Sequence, residues 1–350
     1  MSLKESDRNT TKLIIKNTVA VFLVVVSVVC GVLLLEFTTR YFYPAFNPEN
    51  QIRLIASDGV SPVLGRPNAE FYHLTNKGDF QVTVKFNKHG LRDGKEILDA
   101  ADDAFFVLGD SFGFGWGVEE NDRFSNQLEK LLATNVYNIS SPGSLVNAVL
   151  MLDFITKKGV RINNLVLSIT MENDLHVYHH QLTDKPVVVR VPKEKGADLG
   201  RGIKSILLRN SALYFFVTSV VHKIPALKSI AIQAGLVQPF DTVPEFGVAQ
   251  MDALKSTVGV IERIAKTYRS TILIIPSRAL WIGAETKQAL KMHLDFVAAL
   301  KRLKIPVVDV RPLMEATGMP MNYHFDHDGH WNTKGHSIAA QALARHILSR

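Results

Sequence analysis

The 350-residue sequence predicts an α/β protein: one parallel sheet covered by helices on both faces, preceded by a single membrane-crossing helix. Two observations carry the sheet. Short apolar runs alternate with helical patterns of about ten or more residues, and three of the runs end in polar loops. A third observation, the charge-free stretch 18–35, carries the membrane helix.

Thr18 to Leu35 (TVAVFLVVVSVVCGVLLL) is about one bilayer core long as a helix. Lys4, Arg8, Lys12 and Lys16 precede it, whereas Glu36 and a single Arg40 follow. That asymmetry keeps residues 1–17 in the cytosol and exports the rest across the inner (plasma) membrane. Tyr41, Phe42 and Tyr43 then form an aromatic belt at the far interface. The apolar core is longer than a signal peptide's and no A-x-A site follows it, so an uncleaved anchor is expected. Val29 stands before Cys30 where a lipoprotein signal wants a small residue, which argues against lipid attachment there. The lone cysteine excludes an intramolecular disulfide framework and any multi-cysteine metal site. The net charge of +7 is scattered rather than gathered in a stripe, which points away from nucleic acid as a partner.

Residues 36–102 read as a stalk or small β-layer. Phe80 to Lys88 (FQVTVKFNK) alternates, with Val82, Val84 and Phe86 on one face, and Asn87-Lys88-His89-Gly90 reads as a turn. His73 and His89 are expected at the surface rather than as ligands.

Residues 103–350 form the main domain. Its first strand, Phe105 to Leu108, breaks into Gly109-Asp110-Ser111 and a glycine-rich turn, and a helical pattern spans Asn121 to Leu132. Further strands are expected at Asn135–Ile139, Asn164–Thr170, Thr271–Pro276 and Pro306–Val310. The expected helices are Leu145–Lys157, Gln250–Tyr268 and Ala284–Leu303, with a terminal one after Thr333. Residues 184–249 interrupt the alternation. They hold Val187-Val188-Val189, Lys193-Glu194-Lys195, a helix from Ile203 and the apolar run Ala212 to Val221, which is too short to span a bilayer. A buried helical insertion is the simplest reading of that run; a lid or a membrane-facing surface is the alternative.

Three polar loops follow three successive strands: Asp110-Ser111, Ser141-Pro142-Gly143 and Asn173-Asp174. A parallel sheet brings them to one edge, where α/β folds carry their sites. A serine beside a helix N-terminus suits a nucleophile, provided that a base and an orienting carboxylate reach it. The late segment Tyr323-His324-Phe325-Asp326-His327-Asp328-Gly329-His330 offers both. The N–H groups of Ser111 and Gly143 and the side-chain amide of Asn173 are candidate donors to an oxyanion. Asp110 and Asp174 are expected to fix their loops, and Trp331 and Asn332 to pack and cap the last helix. Gly109-x-Ser111-x-Gly113 also fits the elbow of α/β-hydrolases. That fold, however, places strands before the elbow and carries its acid and base on separate loops. The histidines at 324, 327, 330 and 336 match no zinc spacing, and no metal or other cofactor is required.

In these ordered blocks the chain resembles the SGNH (GDSL-type) hydrolases: Gly109-Asp110-Ser111, Gly143, Asn173-Asp174 and a C-terminal Asp-x-His. Phe86 to Asp93 is similar to the lead-in of membrane-anchored bacterial members. The resemblance implies a three-layer α/β/α, flavodoxin-like fold of about five parallel strands, with Ser111 as nucleophile, His330 as base and Asp328 as its orienter. It also implies an oxyanion hole of Ser111, Gly143 and Asn173. The sequence departs from the family pattern at three places. His327 stands where the family carries its Asp, leaving Asp328 with Asp326 in reserve; Met171 replaces a common glycine, and Gly113 a frequent threonine. The expected function is a membrane-anchored serine esterase acting on O-acetyl groups of an envelope carbohydrate. The alternatives are an O-acyltransferase using the same residues, or a non-catalytic binding or assembly protein.

Overall fold

The computed structural model describes residues 3–176, 178, 206–234, 236 and 251–350. The tracts Val187-Val188-Val189 and Lys193-Glu194-Lys195 and the pair His179–His180 lie outside the described residues.

The chain opens with one helix, Leu3–Phe42, of which Ile15–Phe42 is long and apolar enough to cross a membrane; its most apolar window is 0% buried by the rest of the chain. Two small antiparallel sheets follow, β1 (Leu54–Ile55) with β2 (Leu64–Gly65), and β3 (Glu70–Leu74) with β4 (Gln81–Lys85). The alternation of Phe80 to Lys88 has its physical counterpart in β4. Val82 and Val84 are buried, while Gln81 and Lys85 face outward.

The main sheet comprises β5 (Phe105–Leu108), β6 (Val136–Asn138), β7 (Asn164–Thr170), β8 (Ser270–Ile275) and β9 (Val307–Asp309). Its order is β6-β5-β7-β8-β9, with every neighbouring pair parallel. The order reverses between β5 and β7, and a crevice opens at the carboxyl ends of the strands at such a point. Strands buried on both faces read as unbroken apolar runs, which is why TILII and NLVLSIT show no alternation.

Side chains of alternating parity serve two cores. Phe106, Leu108, Leu165, Leu167, Ile272 and Ile274 pack under the helices Leu145–Lys157, Met251–Thr267 and Thr286–Arg302. Val107, Val166, Leu273 and Ile275 face the helices Phe124–Leu132 and Thr333–Leu348 on the other side. The result is three layers, α/β/α. Leu91 and Ile97, from the segment between β4 and β5, are buried in the first of these cores.

The apolar run from Ala212 forms the helix Ala212–Lys223, bent by 103° from the helix Pro225–Gln233. Ala212, Phe215 and Ser219 are its buried side. His73 departs from expectation: it is only 4% exposed, wedged edge-on against Trp116 at 4.2 Å and Phe80 at 4.8 Å between ring centroids.

Candidate active site

At the end of β5 the backbone turns at Gly109-Asp110 into a short helix, Ser111–Phe114. Asp110 is its N-cap; one carboxylate oxygen accepts from the Phe112 N–H at 2.9 Å and the other from Asn173 Nδ2 at 2.9 Å. One buried carboxylate therefore joins the loops after β5 and β7. The glycines set how closely this turn can pack. A Cβ on Gly113 would lie 2.5 Å from Ser140 Oγ, and Gly115 adopts φ +82°, a left-handed conformation that closes the short helix.

The turn is clamped from behind. Arg92, 1% exposed, donates to the carbonyls of Phe114 (3.1 Å), Gly115 (2.6 Å) and Val118 (2.7 Å). Burial, and then the charge of Arg123, lower its pKa to about 9. Asp93 beside it accepts from the Asn138 N–H of β6 at 2.5 Å. These residues belong to the Phe86-to-Asp93 block, so the block acts structurally by holding the serine turn and the neighbouring strand.

Ser111 Oγ lies 2.8 Å from His330 Nε2. His330 Nδ1 is bonded to Asp328 Oδ1, and the His330 N–H donates to the same oxygen at 3.3 Å. A serine hydroxyl, an imidazole and a carboxylate thus line up in one hydrogen-bonded series. Burial raises the Asp328 carboxyl, but the hydrogen bond and charge of His330 outweigh it and hold the group below the ordinary carboxylate range. The imidazole is flanked by two rings: Phe112 at 4.8 Å and Trp116 at 5.6 Å, the latter within 29° of parallel. Of the other acidic candidates, Asp326 is exposed. His327, at the family's usual acid position, turns away to bond Asp79 Oδ1 through Nδ1 at 2.9 Å and Lys228 through Nε2 at 2.8 Å.

The remaining histidines of this segment occupy separate surroundings. His324 is buried beside Trp281 at 5.9 Å, and His336 accepts from the Phe124 N–H at 3.3 Å. Among the described residues no three His, Cys, Asp or Glu side chains gather as a metal ion would need.

The oxyanion candidates sit in the loops after β5, β6 and β7. Among the described residues, the N–H groups of Ser111 and Gly143 donate to no protein acceptor, and Asn173 keeps the second hydrogen of its amide beyond its bond to Asp110. A Cβ on Gly143 would stand 2.7 Å from Asn147 Cβ, so this loop requires the missing side chain. Asp174 is buried and accepts from the Thr170 N–H at 2.8 Å. Burial, and then the charge of Asp110, push its carboxyl well above its ordinary range. Met171 is buried at the end of β7. Asn332 caps the terminal helix by accepting from the N–H groups of Lys334 and Gly335, and Trp331 is fully buried behind it.

Sequence reasoning passed over two contributors. Trp116 stands in the glycine-rich turn after Ser111, and an indole among glycines beside a serine turn was a usable signal. Arg278 had none: Glu172 accepts from its N–H at 2.6 Å, and its guanidinium packs so closely on Gly329 that a Cβ there would lie 2.3 Å from Cζ. This contact supports the loop between Asp328 and His330.

Residues 273–350, which hold Asp328, His330 and the terminal helix, match the family model described as "SGNH hydrolase-like domain, acetyltransferase AlgX". That segment is thus similar to an SGNH hydrolase-like domain. No curated protein matches the sequence. Several solved structures are similar to the chain. A member of the lipolytic G-D-S-L family from Veillonella parvula is 13% identical, with 71% of this chain and 98% of that one covered and a TM-score of 0.40. A carbohydrate esterase family 2 enzyme from Corynascus thermopiles is 12% identical, covering 76% and 70% of the two chains at a TM-score of 0.37. The acetyl xylan esterase AlAXEase is 9% identical, covering 70% and 99% at a TM-score of 0.38. Similarity at this level carries no conclusion about chemistry. Of the Ser111–His330–Asp328 series, Asp328 and His330 lie within residues 273–350, whereas Ser111 lies outside that segment.

Proposed function

We propose that the chain is a membrane-anchored serine esterase that removes acyl groups, O-acetyl in particular, from a carbohydrate on the far side of the membrane. Residues 1–17 lie in the cytosol, 18–35 form the anchor, 36–102 connect it, and 103–350 carry the chemistry. One observation carries the proposal: the 2.8 Å contact from Ser111 Oγ to His330 Nε2, with Asp328 on the opposite ring nitrogen.

Ser111 Oγ attacks the ester carbonyl and its proton passes to His330 Nε2, while Asp328 accepts the hydrogen bond from Nδ1 and stabilises the imidazolium. The oxyanion accepts hydrogen bonds from the N–H groups of Ser111 and Gly143 and from Asn173 Nδ2. His330 returns the proton to the departing sugar oxygen, leaving an acyl-serine. A water molecule, deprotonated by His330, then releases the acid and restores the serine. Trp116 and Phe112 keep the imidazole in the plane that both transfers need.

A second reading is O-acyl transfer, in which a sugar hydroxyl replaces water in the final step. The acetyltransferase description of the model matched by residues 273–350 favours it. The basic residues before the apolar helix and their scarcity after it support the orientation.

Intact-mass labelling with a fluorophosphonate, on the full chain and on the Ser111→Ala and His330→Ala variants, tests both readings. One adduct on the parent chain and none on the variants is the expected result. No adduct on the folded parent would leave a non-catalytic binding or assembly role. Partition of the acyl group between water and added sugar acceptors then separates esterase from transferase.

A further inference from the structure

From the packing of the insertion helices against the anchor, we propose that residues 206–233 form a membrane-interface platform. It rests on the same bilayer that the anchor crosses and sets the height of the catalytic loop above it. The inference rests on the anchor reading given above.

The level of the platform follows from its ties. Glu36 lies one residue past the charge-free run 18–35, at the boundary where a spanning helix leaves the hydrocarbon. Its carboxylate accepts from the Ala212 N–H (2.9 Å), the Leu213 N–H (2.9 Å) and Ser211 Oγ (2.8 Å). Arg40, paired with Glu36 at 2.7 Å, donates to the Asn210 carbonyl at 2.6 Å. Tyr43 packs on Phe216 at 5.1 Å, and Phe46 packs on Phe215 at 5.9 Å. Every one of these contacts joins the insertion to residues 36–46, so the insertion lies at interface depth.

Its outward residues suit that depth. Ile224, Leu227 and Ile230 recur every third position and are 43%, 38% and 62% exposed; Ile206 is 60% and Val217 47% exposed. Arg209 is exposed near them, as a cation that reaches for headgroups while apolar neighbours enter the acyl boundary. Exposed apolar residues in such number mark a contact surface, and the anchor, unburied by protein along its apolar window, makes lipid the medium next to it. The inward side of the same helix pair reaches the site: Lys228 Nζ is 2.8 Å from His327 Nε2, three residues before His330. Bilayer, platform and catalytic loop therefore form one mechanical series.

The test uses the full chain in phosphatidylethanolamine–phosphatidylglycerol vesicles, with Cys30→Ser removing the only cysteine. An environment-sensitive fluorophore is attached to one of four single-cysteine variants. Ile230→Cys and Val217→Cys report on the platform, Phe22→Cys on the anchor, and Lys301→Cys on the exposed side of the helix Thr286–Arg302. The platform probes should be quenched by lipid carrying a doxyl group near its headgroup. Their quenching by aqueous iodide should be about fivefold weaker than that of Lys301→Cys, as for residues seated in the headgroup boundary. Iodide quenching equal to that of Lys301→Cys, with Phe22→Cys still reading lipid, overturns the platform and leaves the anchor standing. Protection from both quenchers also overturns it, assigning the surface to a protein. Iodide access at Phe22→Cys overturns the anchor reading itself.

Discussion

The indole of Trp116 lies against the imidazole of His330, 5.6 Å between centroids and 29° from parallel, and His73 packs on the same indole at 4.2 Å and 77°. The ring that would move a proton is thus held by an aromatic stack running back to β3, as well as by its hydrogen bonds to Ser111 and Asp328. A stack of this kind is worth about 0.5–1.5 kcal/mol beyond area burial.

Trp116→Ala should therefore lower kcat on a small acetyl ester by up to about tenfold, because each 1.36 kcal/mol of lost alignment is a factor of ten. Trp116→Phe, which keeps a ring, should recover most of the rate. Steady-state kinetics on both variants check this; equal losses would show that the stack does not align His330.

Asp328→Asn should reduce kcat by on the order of 10⁴-fold, since an amide in its place favours the wrong imidazole tautomer. Asp326→Asn, at an exposed position, should stay within about twofold of the parent. The pair of rates distinguishes the two acids, and the opposite ranking would reassign the orienter.

Gly113→Thr, which installs the residue common in the resembling family, should destabilise the fold by about 1–3 kcal/mol through overpacking. The new Cβ would sit 2.5 Å from Ser140 Oγ and 2.9 Å from Ser140 Cβ. Adding Ser140→Gly should restore part of the loss, and a double-mutant cycle of denaturation midpoints measures the coupling.

Stability should fall in acid. Burial lowers the pKa of His73, His324 and His336 from 6.5 to about 3 each, with Arg92 next for His73, Arg278 for His324 and Arg123 for His336. A histidine with a depressed folded pKa binds its proton more readily in the unfolded chain. Stability is therefore full above 6.5 and drops as pH falls from there toward about 3, by at most ~1.4 kcal/mol per unit for each ring. Denaturation midpoints at several pH values test the slope, and His324→Phe should make it shallower.

Much of the fold was legible because its signals are local. The expected helix Leu145–Lys157 and strand Asn164–Thr170 agree with the observed ones to the residue. Each is a single run whose burial pattern is written in neighbouring side chains. The helix expected from Asn121 begins only at Phe124, because Glu120–Asp122 form a tighter turn. His73 was misjudged for a different reason. Its burial comes from Trp116 and Phe80, and nothing in its own strand announces the former.

By itself, the sequence determined the apolar helix at the start, the alternation that makes a parallel sheet, and the strand-end positions of Ser111, Gly143 and Asn173. These depend on periodicity and on where apolar runs stop, which are properties of short stretches. Only the tertiary structure decided that Asp328 rather than Asp326 meets His330, that His327 turns instead to Asp79 and Lys228, and that Arg92 holds the turn after Ser111. Those choices join residues up to about 250 positions apart through irregular loops. There side-chain direction follows no period and is set by which partner relieves each buried charge or hydrogen-bonding group.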